Sequence, residues 1–171
     1  MSDVLLTYGW VRSSYSALRN LKKHDLEIQV SDSSRVGMCQ FSKFSSGFSK
    51  YTSHYEDENK FISDILKICS SKQIKLILPS HNETEIIARH RHKFSDDLVA
   101  MIPNESHCHM FNNKSDAYDY VSRIGIPVPS RIMYDDPNHV SELLKSKGVQ
   151  KTVIKLLTGN SGKGVFYGKN P

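Results

Sequence analysis

Apolar residues along this chain gather in short runs that alternate with stretches of helical spacing, and that alternation predicts its elements. Val4 to Tyr8 reads as a strand ending in Gly9. A helix begins near Ser13 or Ser14, with Tyr15, Leu18 and Leu21 on one face and Lys22 and Lys23 at its basic end. Glu27 to Val30 predicts a second strand, stopping at Ser31-Asp32. Strand, glycine turn, helix and strand form the opening βαβ unit of a parallel sheet. Asp57 to Lys72 predicts a helix with Phe61, Ile62, Ile65, Leu66, Ile68 and Cys69 in a broad stripe and Asp57 as its cap. Lys75 to Pro79 is apolar enough to be a central parallel strand. The helix Glu83 to Lys93 turns Ile86 and Ile87 inward together with Phe94, and Leu98 to Ile102 predicts a further strand closed by Pro103.

A second unit starts near Asn112. Ser115 to Ile124 predicts a helix carrying Ala117, Tyr118, Val121 and Ile124 on one face, with Gly125 just past its end and Pro127 and Pro129 beyond. Arg131 to Tyr134 predicts a short strand, and Asp136-Pro137 starts a helix with proline first and Val140, Leu143 and Leu144 inward, ended by Gly148. Thr152 to Leu157 and Val165 to Tyr167 then predict two strands joined by a glycine-rich turn.

Two stretches change this picture little. From Ser33 to Tyr55, Phe41, Phe44, Phe48, Tyr51 and Tyr55 alternate with serines and with Lys43 and Lys50. Such a mix can stack single-stranded bases. A packed crossover covering the sheet is the preferred reading, and nucleic acid is not the expected partner. His90-Arg91-His92 and His107-Cys108-His109 look like metal ligands by composition. Residues two apart on a helix face different ways, and no second pair stands at zinc spacing, so a solvated surface is expected.

Composition bounds the rest. Charged residues make up 24% and hydrophobic ones 38% of 171 residues, and the net charge of +5 is spread along the chain. That charge suits an anionic small molecule as well as a nucleic acid. No run approaches the ~20 apolar residues of a membrane span, so no membrane partner is expected. The N-terminus has no basic region ahead of its apolar residues. Cys39, Cys69 and Cys108 share no short spacing and suit reduced thiols in a cytoplasmic protein.

Candidate chemistry concentrates at Gly159-Asn160-Ser161-Gly162-Lys163-Gly164, preceded by Lys155 in an otherwise apolar strand. Small residues let backbone N–H groups approach an anion, and Lys163 adds charge. A phosphate-covering loop and an ordinary hairpin with an exposed lysine both fit the loop taken alone. A Walker A loop does not: its first glycine falls on Leu157, and Gly164 occupies the Ser/Thr position. The turn from Gly9 to Ser13 lies where parallel sheets bind ligands but lacks GxGxxG, which argues against a dinucleotide. Gly9 and Arg12, with His81 after the later strand, are the candidates for contact with an anionic substrate.

Asn113-Lys114-Ser115, the following helix and Gly125-Ile126-Pro127-Val128-Pro129 resemble the signature that opens an ATP-grasp fold. Val153-Ile154-Lys155-Leu156-Leu157 and the glycine loop resemble its second lysine strand and phosphate loop. Residues 1 to about 105 are similar in order and length to the domain that precedes this lobe in carbamoyl phosphate synthase-like and biotin carboxylase-like proteins. The resemblance implies an α/β fold: a Rossmann-like, parallel-sheet pre-ATP-grasp domain over 1–111, then an incomplete α+β ATP-grasp small lobe over 112–171. It implies that Lys114 and Lys155 contact the α- and β-phosphates of ATP, and that the loop from Gly159 to Gly164 closes over the β- and γ-phosphates. Asn113 stands where the family has aspartate, which leaves the lysine's role intact. The acidic residues that hold Mg2+, and the larger lobe that completes the adenine site, are expected downstream of Pro171.

The activity implied is that of a ligase which activates a carboxylate as an acyl phosphate with Mg-ATP and lets an amine or ammonia displace the phosphate. The chain alone is expected to be inactive. The rival is a non-catalytic module that binds an anion or a partner, its open lobe exposing an apolar face that favours a homodimer.

Overall fold

The computed structural model describes residues 2–133, 136, 139–159, 162 and 164–169, without the side chains of Ser141 and Lys169. Two compact units result, Met1–Cys108 and His109–Pro171. In the first, β1 (Val4–Leu6), β2 (Ile28–Asp32), β3 (Gly47–Lys50) and β4 (Leu76–Leu78) form a parallel sheet in the order β3-β2-β1-β4. Residues of β1 alternate between its faces, as the pleat requires. Leu5 and Ile77 join a core with Phe61, Ile62 and Ile65 of α2 (Glu58–Lys72) and Ile87 of α3 (Glu83–Arg89). Val4 and Leu6 join Ile28, Val30 and Leu18 of α1 (Arg12–Lys22) on the other face. Every strand residue of β1 and β2 is buried, including the polar Gln29 and Asp32 of β2.

Helix ends follow local chemistry. Asp57 caps α2 by accepting from the N–H of Lys60 at 2.9 Å, and Gln73 closes it in the left-handed region at φ 51°.

The structure corrects several expectations here. Ser33–Tyr55 contains β3, a four-residue edge strand, as well as crossover. Tyr51 is fully buried, while Phe41 and Tyr55 are 74% and 75% exposed, so the segment is only partly packed. Leu98–Ile102 is a turn. Val99 and Ile102, three apart, both enter the core, and the N–H of Ile102 bonds back to Val99, as a helical turn rather than a strand demands. β4 consequently ends the strand order, its Ile77 N–H donating to the carbonyl of Leu98 at 2.8 Å. The helix from Glu83 ends at Arg89, and a 3-10 turn, Arg91–Lys93, follows.

A helix absent from the sequence reading, α4 (Glu105–Asn112), spans the boundary between units. Asn104 starts it, its Oδ1 accepting from the N–H of His107 at 2.8 Å. The second unit then holds α5 (Lys114–Arg123), α6 (Val140–Ser146) and an antiparallel hairpin of β5 (Lys151–Lys155) and β6 (Val165–Lys169). Arg131–Met133 forms no strand, and Tyr134 and Pro137 lie outside the described residues. Among the described residues, every buried hydrophobic side chain belongs to the first unit. The apolar faces of α5, α6 and the hairpin are half-buried or exposed.

Candidate phosphate and substrate sites

The second unit brings the two lysine motifs together. Asn113 caps α5, its Oδ1 accepting from the N–H groups of Ser115 at 2.9 Å and Asp116 at 3.3 Å. First-turn N–H groups have no partner within their helix. That of Lys114 donates instead to the carbonyl of Leu157 at 2.8 Å, and its Nζ donates to the carbonyl of Gly159 at 3.1 Å. Lys114 is thus tied by backbone and side chain to the point where β5 becomes the glycine loop. A neutral carbonyl holds an ammonium less strongly than a phosphate oxygen does, so the amine is available for exchange onto an anion.

Lys155 is the last residue of β5, exposed, and paired with Val165 across the hairpin. Alternation places Lys151, Val153 and Lys155 on one exposed face, with Val165 and the 83%-exposed Tyr167 opposite them. The N–H of Leu156 donates to the carbonyl of Gly164 at 2.9 Å and closes the loop's base. Gly164 has φ +74°, and a Cβ there would lie 2.6 Å from Cδ1 of Leu156, so only glycine fits. Gly162, at φ +77°, faces open space. Asn160, Ser161 and Lys163 lie outside the described residues. The sequence reading missed Arg131, whose guanidinium lies 4.3 Å over the ring of Tyr118 and pairs with Asp119 at 2.6 Å. It holds the segment after Pro129 against α5; nothing in the local sequence pattern marks a pairing twelve residues away.

In the first unit, the chain leaves β1 for β2 on one side and returns with β4 on the other, so the loops after β1 and β4 flank the switch point of the sheet. Gly9 and His81 lie in those two loops. Gly9 is buried by packing: a Cβ there would meet Val30 Cγ1 at 2.7 Å. The ring of Tyr8 stacks on His81 at 4.8 Å, and both residues are left-handed, at φ 51° and 64°. The Ser14 hydroxyl donates to the carbonyl of Tyr8 at 2.8 Å and lies 3.1 Å from that of Ser80. Arg12 is exposed at the start of α1.

Hydrogen bonds tie this turn to residues that sequence reasoning missed. Asp32 accepts from the N–H groups of Trp10 and Ser34, each at 2.9 Å. Glu83 is 2% exposed. Its Oε1 accepts from the Tyr51 hydroxyl at 3.0 Å, and that hydroxyl accepts from the N–H of Tyr8 at 3.3 Å. Oε2 of Glu83 is buried without a partner. Burial, with the charge of Asp32 adding to it, pushes the Glu83 carboxyl up to about 7, and burial raises Tyr51 strongly as well. An open polar hollow of ≈ 490 Å³ is lined by Tyr51 together with Ser34, Lys50, Thr52 and Asp64. Asp64 is already engaged there by the N–H and hydroxyl of Thr52, both at 2.8 Å.

The histidines divide. His90, expected at the surface, has a side chain only 15% exposed, with Nε2 2.8 Å from Glu58; His92 is exposed. Among the described residues no group of three or more His, Cys, Asp or Glu side chains could hold a metal ion.

No family model and no curated protein sequence matches this chain. Solved structures do. The biotin carboxylase domain of 2-oxoglutarate carboxylase from Hydrogenobacter thermophilus, solved as a dimer with MgADP, ADP and bicarbonate, aligns with TM-score 0.68 and 16% identity over 99% of this chain and 38% of its own. N5-carboxyaminoimidazole synthetase from Staphylococcus aureus, in complex with ADP, aligns with TM-score 0.69 and 12% identity over 97% of this chain and 41% of its own. Biotin carboxylase from Campylobacter jejuni aligns with TM-score 0.67 and 16% identity over 99% and 39%.

The fold is that of the N-terminal part of ATP-grasp carboxylases. The chain spans about two fifths of the length of these ATP-grasp structures.

Proposed function

We propose that this chain supplies the opening sheet domain and the phosphate-holding lobe of an ATP-dependent ligase that activates a carboxylate as an acyl phosphate for attack by an amine or ammonia. The observation that carries the reading is the bond from Lys114 Nζ to the carbonyl of Gly159. Motifs distant in sequence meet at one place, and they are an amine and a glycine loop. Lys114 and Lys155 hold the α- and β-phosphates, and the loop from Gly159 to Gly164 covers the β- and γ-phosphates. ATP, when bound, supplies the phosphoryl group. The lysines supply fixed positive charge where negative charge gathers, and the loop excludes water. Gly9, Arg12 and His81 are assigned to the substrate side. Among the described residues no group of three or more His, Cys, Asp or Glu side chains is placed to hold a metal ion.

The finer class, carbamoyl phosphate synthase-like or biotin carboxylase-like, and a cytoplasmic setting with the domain boundary at 111/112, belong to the same proposal. A non-hydrolysable ATP analogue is expected to shift the amide resonances of Gly159, Gly162 and Gly164. Lys114→Ala or Lys155→Ala is expected to weaken that binding about tenfold or more, the scale of one charge-assisted hydrogen bond. Unchanged affinity in both variants sinks the reading. The second reading, a module that binds a partner or a second copy, rests on exposed Val153, Leu156, Leu157 and Phe166. Sedimentation as a monomer counts against it.

A further inference from the structure

The buried glutamate under the switch point has no place in the phosphate chemistry, and its surroundings are unusual for a structural carboxylate. Glu83 opens α3, immediately after the loop that carries Ser80 and His81. It has one donor from another residue's side chain, Tyr51, while Oε2 has none. Tyr51 in turn receives the N–H of Tyr8, so a single hydroxyl links the carboxylate to the backbone of the β1–α1 turn. That turn and the β4–α3 loop are each bent through a left-handed non-glycine residue, and those two residues stack on one another. Such conformations cost about 1 kcal/mol or more each and persist only where their surroundings hold them.

We propose that Glu83 is a proton-operated latch on the loops after β1 and β4, closed when its carboxyl is neutral and loosened when it is charged. A neutral carboxyl tolerates a site whose donors are its own backbone N–H and the Tyr51 hydroxyl. An anion there lacks donors on Oε2 and sits in the field of Asp32, and its relief is water admitted by loosening the Tyr51 tie to the β1–α1 turn. The groups that face Glu83 are Tyr51 after β3, Tyr8 after β1 and Asp32 at the end of β2. Next to them stand Tyr55, which acts on Tyr8, and His81, which acts on His54. Burial lowers the His54 proton affinity, with His81 adding to it. With the carboxyl raised to about 7, the latch works around neutrality. It controls access to the crevice between β1 and β4, where parallel sheets receive ligands. The inference stands independently of the nucleotide reading, because every residue in it belongs to the first unit.

Trp10 is the single tryptophan, one residue past Gly9, and its N–H is held by Asp32. It reports on this turn. Across pH 5 to 9, Trp10 fluorescence of the intact chain is expected to show a sigmoidal change centred near 7. Glu83→Gln is expected to abolish the change, since glutamine does not titrate. Tyr51→Phe is expected to abolish or greatly reduce it while leaving Glu83 titratable, as read from side-chain carboxyl carbon resonances. His81→Asn is expected to retain it, which separates the carboxyl from the neighbouring histidines. A transition that survives in Glu83→Gln, or vanishes in His81→Asn, overturns the proposal. So does a wild-type chain in which the Glu83 resonance titrates and Trp10 stays constant.

Discussion

At the scale of single residues, Glu83 and Gly9 carry the strongest consequences, and neither follows from residue type. Below the ordinary glutamate value of 4.5 the buried carboxyl is neutral in both folded and unfolded chains. Between that value and about 7 the unfolded chain is ionised while the folded one still binds its proton, so stability is lost as pH rises through this window. At roughly 1.4 kcal/mol per pH unit the loss is about 3 kcal/mol. Glu83→Gln is expected to remove most of that dependence: denaturant melts at pH 5 and pH 8 should differ by about 3 kcal/mol less in the variant than in wild type. An identical pH dependence would show that Glu83 is charged and solvated in the folded chain. Gly9→Ala places a methyl 2.7 Å from Val30 Cγ1 and is expected to destabilise by about 1–3 kcal/mol through overpacking, read from the same melts.

At the scale of elements, caps and periodicity were legible and irregular pieces were not. Asp57 was readable as the start of α2 because a carboxylate ahead of a broad apolar stripe has one common use, and it accepts from Lys60 as that use requires. Asp57→Ala is expected to cost about 1 kcal/mol of stability with no change in the circular dichroism of the folded state. The hairpin was legible from β-rich runs flanking glycines. Leu98–Ile102 misled because a short apolar run has the same composition in a buried turn as in a strand. β3 hid among serines and aromatics because an edge strand of four residues needs no apolar alternation when only one side is covered.

At the scale of the whole molecule, the two units differ in how they are stabilised. The first buries two clusters on either side of its sheet, and among the described residues the second buries no hydrophobic side chain fully. Opening free energies follow buried apolar contact. Amides of β1 and β2 are therefore expected to exchange with deuterium orders of magnitude more slowly than those of β5 and β6. Equal protection would mean that something covers the hairpin in solution. Bound nucleotide analogue should narrow the difference, since a ligand held by Lys114 and Lys155 stabilises the unit that holds it.

The sequence by itself determined β1, β2, β4, the hairpin of β5 and β6 and the helices between them other than α4, the parallel nature of the first sheet, and the lysines and glycines suited to phosphate. Those depend on local periodicity, turn chemistry and residue type, which a single chain displays directly. Only the tertiary structure decided that Lys114 reaches Gly159, that Gly9 is glycine for packing against Val30, and that Glu83 lies buried against the Tyr51 hydroxyl. Each of these depends on which distant segments the sheet order brings side by side, and on how much water is left between them. Spacing along the chain carries neither quantity. The loop from Gly159 to Gly164 was thus recognisable early, but its partner amine acquired a position only when α5 and β5 folded against one another.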